Sequence, residues 1–572
     1  MTYGALGRQI ETTVHALADA GYGREARIAV ALPHGPELAV ALLAACSAAT
    51  CAPLNDKLEQ EALEKLLVAM RVDALVALEG ADSPAVRAAR RLAIPLIDLR
   101  FSEAECAGTF ELVLRQRREP VPVREAECDS IAFLAHTSGT TSTPKIVPLE
   151  QWRMAESARN RIAMGQISGS DRCLVLTPLY SVGALRRSLL APLLAGGSIV
   201  CPGTFDAKTL VDLLETLAPT QCFAAPVVYI SLLEEFERRP QRPRHSLRVI
   251  NCGIGQLAPA VRTRLEEAFG APVVLSYGMT ETGAIAQTPP APEIAPAGSV
   301  GQPAGLEVAI ADDGGRLLSP GETGEIVVRG PEVFAGYEND EEANCAAFRD
   351  GWFRTGDAGR IDGEGFVFLV GRIKDIINRG GAKVVPGEVE AVLLRHSQVV
   401  EAAAFGIPHL TLGEDLGAAV VLRREGKETE RELRRFLRGA LAAFKVPTRI
   451  IVLAELPRGA LGKVDRAEVA KVVQHLAPIA FVPPLNADEA EIARLFAEVL
   501  ELPSVGRMDN FFDLGGDSLR GVALLAGVEA AYGIAAPFDL LLDRPCVADF
   551  AAGIKALLDQ QTKRLRCDDA IC

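Results

Sequence analysis

Over roughly its first 370 residues this chain alternates short apolar, β-branched stretches with helical ones. Arg27-Ile28-Ala29-Val30-Ala31-Leu32, Asp73 to Leu78, Cys173 to Leu176 and Pro272 to Leu275 are examples. Each is short enough for a buried strand. Strands that follow helices in this way pair in parallel, because a parallel pair needs a long crossover between its members. The alternation therefore predicts a mixed α/β fold with largely parallel sheets. Around Pro289 to Pro303 the pattern loosens into a loop. Residues 305–370 then read as short strands joined by turns at Asp312-Asp313-Gly314 and Ser319-Pro320-Gly321.

A chain of 572 residues is too long for one core, and three or four units are expected. Residues 372–475 read as a smaller α+β unit, with helices at Glu388 to Leu394 and Glu428 to Ala443 and a strand at Val399 to Phe405. Leu476 to Leu485 is punctuated by proline and is expected to be an extended linker. From Asp488 a helical unit begins, with Ile492, Leu495, Phe496 and Val499 on one apolar face. A loop to Leu514 leads to a helix from about Ser518, with Leu519, Val522 and Leu525 on one side. The expected boundaries are 1–371, 372–475, a linker at 476–487, an all-α four-helix bundle at 488–560 and a polar, disordered tail at 561–572.

A net charge of −14 argues against nucleic acid or an anionic membrane as a partner. There is no secretory n-region and no long uncharged apolar run, so a cytoplasmic location is expected. The 12 cysteines form no C-x-x-C pair, which favours reduced thiols over a zinc site.

Two segments carry chemistry on their own residues. His136-Thr137-Ser138-Gly139-Thr140-Thr141-Ser142-Thr143-Pro144-Lys145 follows the apolar strand Ile131 to Ala135. Hydroxyls and backbone N–H groups around a glycine, with a lysine, make an anion cradle suited to a polyphosphate. The alternative is a Ser/Thr-rich surface turn. A Walker loop is excluded because the Gly-Lys-Ser/Thr ending is missing. Near the other end, Phe511-Phe512-Asp513-Leu514-Gly515-Gly516-Asp517-Ser518-Leu519 places a serine after a glycine turn at a helix start. Such a serine is exposed and open to covalent modification. Its alternative role is a helix cap.

The first string resembles the phosphate loop of the adenylate-forming ANL superfamily: acyl-CoA synthetases, nonribosomal peptide synthetase adenylation domains and luciferases. Further motifs follow in the family's order. They are Ser276-Tyr277-Gly278-Met279-Thr280-Glu281, Trp352 to Asp357, Gly371-Arg372-Ile373-Lys374-Asp375 and Leu456 to Lys463. The resemblance spans residues 2 to about 470. It implies a large adenylation core, a small mobile α+β subdomain, and ATP with Mg2+ as ligands. Thr137, Ser138, Gly139, Thr140, Thr141 and Lys145 would hold phosphates. Tyr277, Gly278 and Thr280 would flank the adenine, Asp357 the ribose, and Arg372 would reach the nucleotide. Glu281 would hold Mg2+, Lys463 would be catalytic, and Lys374 would be the hinge. The segment after the linker resembles an acyl or peptidyl carrier domain, which makes Ser518 the implied attachment point of 4′-phosphopantetheine.

Two departures matter. The family usually has glycine at the positions of Ser142 and Ile146, and losing both restricts the loop backbone. With His136 and Ser142 the string most resembles a branch of acyl-CoA ligases that includes oxalate–CoA ligases. Ser181 stands where amino-acid-activating domains carry an aspartate for the α-ammonium group, so either the substrate lacks that amine or another residue anchors it. Tyr180, Ser181, Leu185, Gly253 and Gly255 are the expected acyl-pocket residues. Arg186 and Arg187 follow at once; one could face an acidic substrate, the alternative being a solvated helix start.

The expected function is a nonribosomal-peptide-synthetase-like adenylation–carrier didomain for natural product biosynthesis. It would activate a small organic acid or atypical amino acid as acyl-AMP and load it as a thioester on its own carrier. Partners would be a phosphopantetheinyl transferase and separate downstream enzymes. The alternatives are an acyl-CoA ligase using free CoA, or a degenerate carrier-docking module without catalysis.

Overall fold

The computed structural model describes the chain except residues 103, 117, 138–143, 204–205, 256, 290–294, 410–411, 424–425, 427, 459–463, 476–481, 501, 503, 513, 515, 517 and 569–572. The expected phosphate-loop residues Ser138, Gly139, Thr140 and Thr141 and the expected catalytic Lys463 therefore lie outside the described residues. For Ser518 only the backbone is described.

Two seven-stranded sheets build the larger part of the fold. In the first, Arg27–Ala31 lies at the centre and pairs in parallel with Thr50–Pro53 on one side and Ala74–Leu78 on the other. Its residues from Ile28 to Ala31 are buried, as expected of a strand covered on both faces. The helix Pro36–Ala48 is apolar almost all round and is correspondingly buried. At one edge the sheet turns antiparallel, where Ile131–Thr137 pairs with Lys145–Glu150.

In the second sheet Ser198–Val200, Arg172–Val175, Gln221–Ala224, Val249–Cys252 and Val273–Met279 run parallel. Gly283–Gln287 then returns antiparallel beside the last of these. Residues 305–372 form the short-stranded sheet expected from their turns, with Trp352–Ile361 between Gly324–Arg329 and Val367–Arg372. A further antiparallel sheet contains Ile377–Arg379, Ala382–Val384, Val399–His409 and Gly413–Leu422.

The chain divides into two compact units, residues 1–446 with 452–468, and 447–451 with 469–572. The second unit contains helices Ala487–Leu500, Ser518–Tyr532, Phe538–Asp543 and Val547–Asp568. Ile492, Phe496, Phe511, Leu524, Val528, Leu541, Phe550 and Ile554 form its core. Leu519 and Val522, expected on one packed side, are instead 81% and 59% exposed. Leu524 and Val528 face the core in their place. The last helix also continues through Asp568, past the expected boundary at residue 560. Its Gln560 to Arg566 stretch contains no Gly or Pro to stop it. Among the described residues no helix is long and apolar enough to cross a membrane.

Candidate active site

Four distant motifs meet through the strands that carry them. Tyr277 lies in Val273–Met279, whose pairing with Gly283–Gln287 shifts register between Tyr277 and Gly278. A Cβ on Gly278 would sit 2.1 Å from the Gly283 carbonyl oxygen, so only glycine permits this close approach. Asp357 lies in Trp352–Ile361, in register with Arg372 across an antiparallel pair. Opposite charges at such positions are neighbours by geometry.

The Tyr277 hydroxyl donates to Asp357 Oδ2 at 2.6 Å. Arg372 Nε lies 2.7 Å from Asp357 Oδ1. The Asp357 backbone N–H donates to the Thr355 hydroxyl at 3.1 Å, and that hydroxyl donates to the Ile326 carbonyl at 2.7 Å. Asp357 is only 4% exposed; its carboxylate is held by the buried Tyr277 hydroxyl and by the partly exposed Arg372 guanidinium. Burial, then the neighbouring Asp357 charge, pushes the Tyr277 phenol well up. Tyr277 therefore stays a hydrogen-bond donor at neutral pH.

Glu281 sits in the turn after the same strand and is 4% exposed. The Tyr337 hydroxyl donates to its Oε1 at 2.9 Å. Burial raises the Glu281 carboxyl; the Tyr337 hydrogen bond and the charges of Arg372 and Lys145 oppose that rise. The Lys145 ammonium lies 4.7 Å from the centre of the Tyr337 ring. Tyr337 is the residue the motifs missed. In the sequence it reads as one more aromatic after Phe334, with which it packs edge to face at 4.8 Å. The available signal is Asn344, which accepts from Tyr337 N and donates to Tyr337 O, pinning its backbone.

Thr137 and Lys145 stand opposite each other in the antiparallel pair that flanks residues 138–143. Ile146, expected at a family glycine position of the loop, lies instead in the strand Lys145–Glu150. It is buried in a strand against Leu134, and its carbonyl accepts from Glu338 N. Thr280 offers its carbonyl to Arg186 at 3.4 Å. Lys374 is exposed in a one-turn helix immediately after Arg372. Arg458 and Val464 bridge antiparallel on either side of residues 459–463. Ser518 opens its helix, and the turn before it has a steric reason: a Cβ on Gly516 would lie 2.3 Å from the Phe511 ring.

The residues expected to line an acyl pocket fall into two groups. A Cβ on Gly183 would lie 3.6 Å from the Phe223 ring and 3.8 Å from the Ser181 hydroxyl, and one on Gly253 would lie 2.9 Å from the same ring. Gly255 packs on Pro226, Tyr180 is partly buried, and Leu185 is fully buried in the main core. Arg186 and Arg187 are not a solvated helix start. They lie in a π-helical turn, Leu185–Leu190, and are 3% and 7% exposed.

Residues 1–338 match the AMP-binding enzyme family, 388–463 its AMP-binding enzyme C-terminal domain, and 490–554 a phosphopantetheine attachment site. An oxalate–CoA ligase of Arabidopsis thaliana is 37% identical, over 82% of this chain and 93% of that protein. The ATP-bound MatB structure from Rhodopseudomonas palustris superposes with a TM-score of 0.73 at 27% identity, covering 83% of this chain and 94% of that one. The o-succinylbenzoate CoA synthetase of Bacillus subtilis, in complex with its acyl-adenylate intermediate, gives 0.71 at 30% identity, covering 82% and 93%. The chain belongs to the AMP-binding enzyme family: it is an ATP-dependent, AMP-forming acid–thiol ligase that also carries a phosphopantetheine attachment domain.

Proposed function

We propose that this chain activates a small carboxylic acid with ATP and loads it on its own carrier at Ser518. The observation that carries this reading is the presence, on one chain, of the Tyr277–Asp357–Arg372 cluster and of the attachment-site match over 490–554. The acid's carboxylate oxygen attacks the α-phosphorus of ATP, and the bond to pyrophosphate breaks. The resulting acyl-adenylate is then attacked at its acyl carbon by a thiol, and AMP leaves.

Each residue has a proposed part. Asp357 takes the ribose hydroxyls, which requires Tyr277 or Arg372 to give up its present hold on the carboxylate. Tyr277 then turns its ring to the adenine. Thr137, Lys145 and the intervening Ser138, Gly139, Thr140 and Thr141 hold the phosphates. Lys463 bridges the carboxylate and the α-phosphate as negative charge builds. Lys374 is the hinge about which residues 372–475 rotate between the two half-reactions.

Glu281 fits Mg2+. It is a buried hard-oxygen donor steadied by Tyr337, and Mg2+ typically takes one or two carboxylates with substrate phosphates completing the shell. When bound there, the ion would screen the triphosphate charge. The pantetheine arm, once attached to Ser518 by a phosphopantetheinyl transferase, supplies the thiol. Tethering raises the effective concentration of that thiol over free CoA. Downstream enzymes would then take the acyl group from the carrier, as in nonribosomal-peptide-like natural product biosynthesis.

A second reading, ligation to free CoA, is favoured by the oxalate–CoA ligase relative, whose similarity covers 82% of this chain. Intact-mass spectrometry of the pantetheinylated protein with ATP and candidate acids separates the two. Cis-loading adds the acyl mass to the carrier peptide, and Ser518→Ala abolishes it. Undiminished acyl-CoA formation by Ser518→Ala, with no acyl-carrier in the parent protein, would establish the second reading instead.

A further inference from the structure

Arg187 is a buried cation without a buried anion to match it. Its Nη1 donates to the Asn251 side-chain oxygen, and its Nη2 to the Ser276 hydroxyl at 3.1 Å and to the Gln287 side-chain oxygen. Every one of these acceptors is neutral. Among the described residues no carboxylate lies within ion-pair distance of Arg187. The neighbouring arginines are different. Arg161 lies 3.9 Å from Glu332, and Arg186 feels the charges of both Glu332 and Glu281. Arg161 repels both Arg186 and Arg187, but among the described residues no carboxylate charge offsets that repulsion at Arg187. Burial and that repulsion pull its guanidinium down to about 9, still cationic at neutral pH.

A buried charge held only by neutral groups is costly unless a counter-charge arrives. The position of Arg187 shows where such an anion would come from. Phe223 and Asn251 lie toward the carboxyl ends of adjacent parallel strands, and Ser276 lies on the next one. Ligands of open α/β sheets bind at that edge. The Phe223 ring faces Arg187 at 5.6 Å and borders Gly183 and Gly253. A Cβ on Gly253 would also be 3.3 Å from the Ser276 carbonyl. Gly183, Phe223, Gly253 and Ser276 thus cluster on the expected acyl pocket beside Ser181, and Arg187 brings a buried positive charge to them.

We propose that Arg187 binds a second anionic group on the acid, so that the substrate class is a small dianionic acid and not an amino acid. The guanidinium fork suits a carboxylate or sulfonate, which it would meet with two N–H donors once Nη2 releases Ser276 or Gln287. Ser181, lacking the aspartate that would answer an ammonium group, agrees with this charge pattern. The proposal rests on the adenylation reading and deepens it.

The test is ATP–pyrophosphate exchange by the full chain. The panel pairs each short dicarboxylic acid with its monoamide, adds a sulfonated monocarboxylic acid of equal length, and includes monocarboxylic and α-amino acids. The parent protein is expected to favour a dicarboxylic or sulfonated acid over the uncharged isostere by at least tenfold in kcat/KM; which of the two leads identifies the second anion. Arg187→Gln should lower that ratio at least tenfold, with the KM for ATP within twofold of the parent. Arg187→Lys, which keeps the charge but not the fork, should restore part of the ratio. A parent protein that prefers singly charged or α-amino acids overturns the proposal even if no variant folds. So does an Arg187→Gln variant that weakens every acid equally, which is the behaviour of a purely structural arginine. Exchange with no acid at all overturns the adenylation reading together with this one.

Discussion

The Tyr337 hydroxyl donates a 2.9 Å hydrogen bond to Glu281, while the Lys145 ammonium lies 4.7 Å from the centre of the same ring. One side chain thus links the lysine of the expected phosphate loop to the expected metal carboxylate. The two motifs lie far apart in sequence, and neither contains Tyr337. Phe334 N–H also donates to the Glu281 carbonyl at 2.8 Å, so the segment carrying Tyr337 grips Glu281 by both backbone and side chain.

If Glu281 holds Mg2+, removing that hydroxyl should be felt in the Mg2+ dependence. Tyr337→Phe keeps the ring and the seat of Lys145 but leaves a buried carboxylate one donor short, which costs about 1–3 kcal/mol. The Mg2+ concentration for half-maximal pyrophosphate exchange is expected to rise about tenfold, since each step of about 1.4 kcal/mol is a factor of ten. An unchanged Mg2+ titration would remove Tyr337 from the metal site.

The raised Glu281 carboxyl gives a pH signature. If Glu281 holds Mg2+, only its ionised form would do so well, so the proton must leave first. Because burial lifts its pKa above the ordinary 4.5, Mg2+ affinity should begin to fall at a higher pH than for an exposed glutamate as the solution is acidified. The same shift acts oppositely on the unliganded fold. Its contribution to stability is fully present below the unfolded pKa and is lost as pH rises through the raised folded one. Glu281→Gln should flatten both dependences, measured by exchange against Mg2+ and by thermal unfolding across the acid range.

Much of this was legible before any coordinates. The strand–helix alternation specified the parallel sheets because buried parallel strands read as apolar runs. Tyr277, Asp357 and Arg372 could be named because each sits in a short motif of fixed spacing. What could not be read was anything decided by packing between distant segments. Tyr337 looks like a core aromatic until Glu281 is placed beside it. Arg186 and Arg187 look like a hydrated helix start, because no local pattern announces a π-turn. Leu519 and Val522 fit a helical period as well as Leu524 and Val528 do, and only the position of Phe511 and Leu541 decides which face is covered.

Asp357→Asn keeps the shape of the side chain and removes its charge. The ion pair with Arg372 is lost, and the amide can no longer offer acceptors at both of its positions. The KM for ATP should rise at least tenfold. If the ribose is the partner, 2′-deoxy-ATP should be a poorer substrate than ATP for the parent but nearly equal to it for the variant. Equal discrimination by both proteins would place the ribose elsewhere.

The exposed and buried faces of the carrier bundle should separate cleanly. Phe496 is fully buried and meets the Phe511 ring edge on at 5.1 Å. Phe496→Ala should destabilise the bundle by about 3–5 kcal/mol, whereas the exposed Leu519→Ala should stay within about 0.5 kcal/mol. Amide hydrogen exchange of peptides from residues 487–560 in the full chain reads both. Equal losses of protection would mean that Leu519 is covered in solution.

Lys463 and Lys374 should divide the reaction between them. If Lys463 meets the α-phosphate during adenylation, Lys463→Ala removes a cation from the point where charge develops, and exchange should fall by about a hundred- to a thousandfold. The thiol step does not use that contact, so transfer from a supplied acyl-adenylate to the carrier should survive. Lys374 lies two residues after Arg372 and is exposed, so it can change conformation without disturbing a core. A substitution there that restricts the backbone, Lys374→Pro, should spare exchange and slow thioester formation. The opposite pattern in either variant would contradict a rotation about residue 374. Equal loss of both half-reactions in both variants would mean that one fixed arrangement of residues 372–475 serves adenylation and thiol transfer alike.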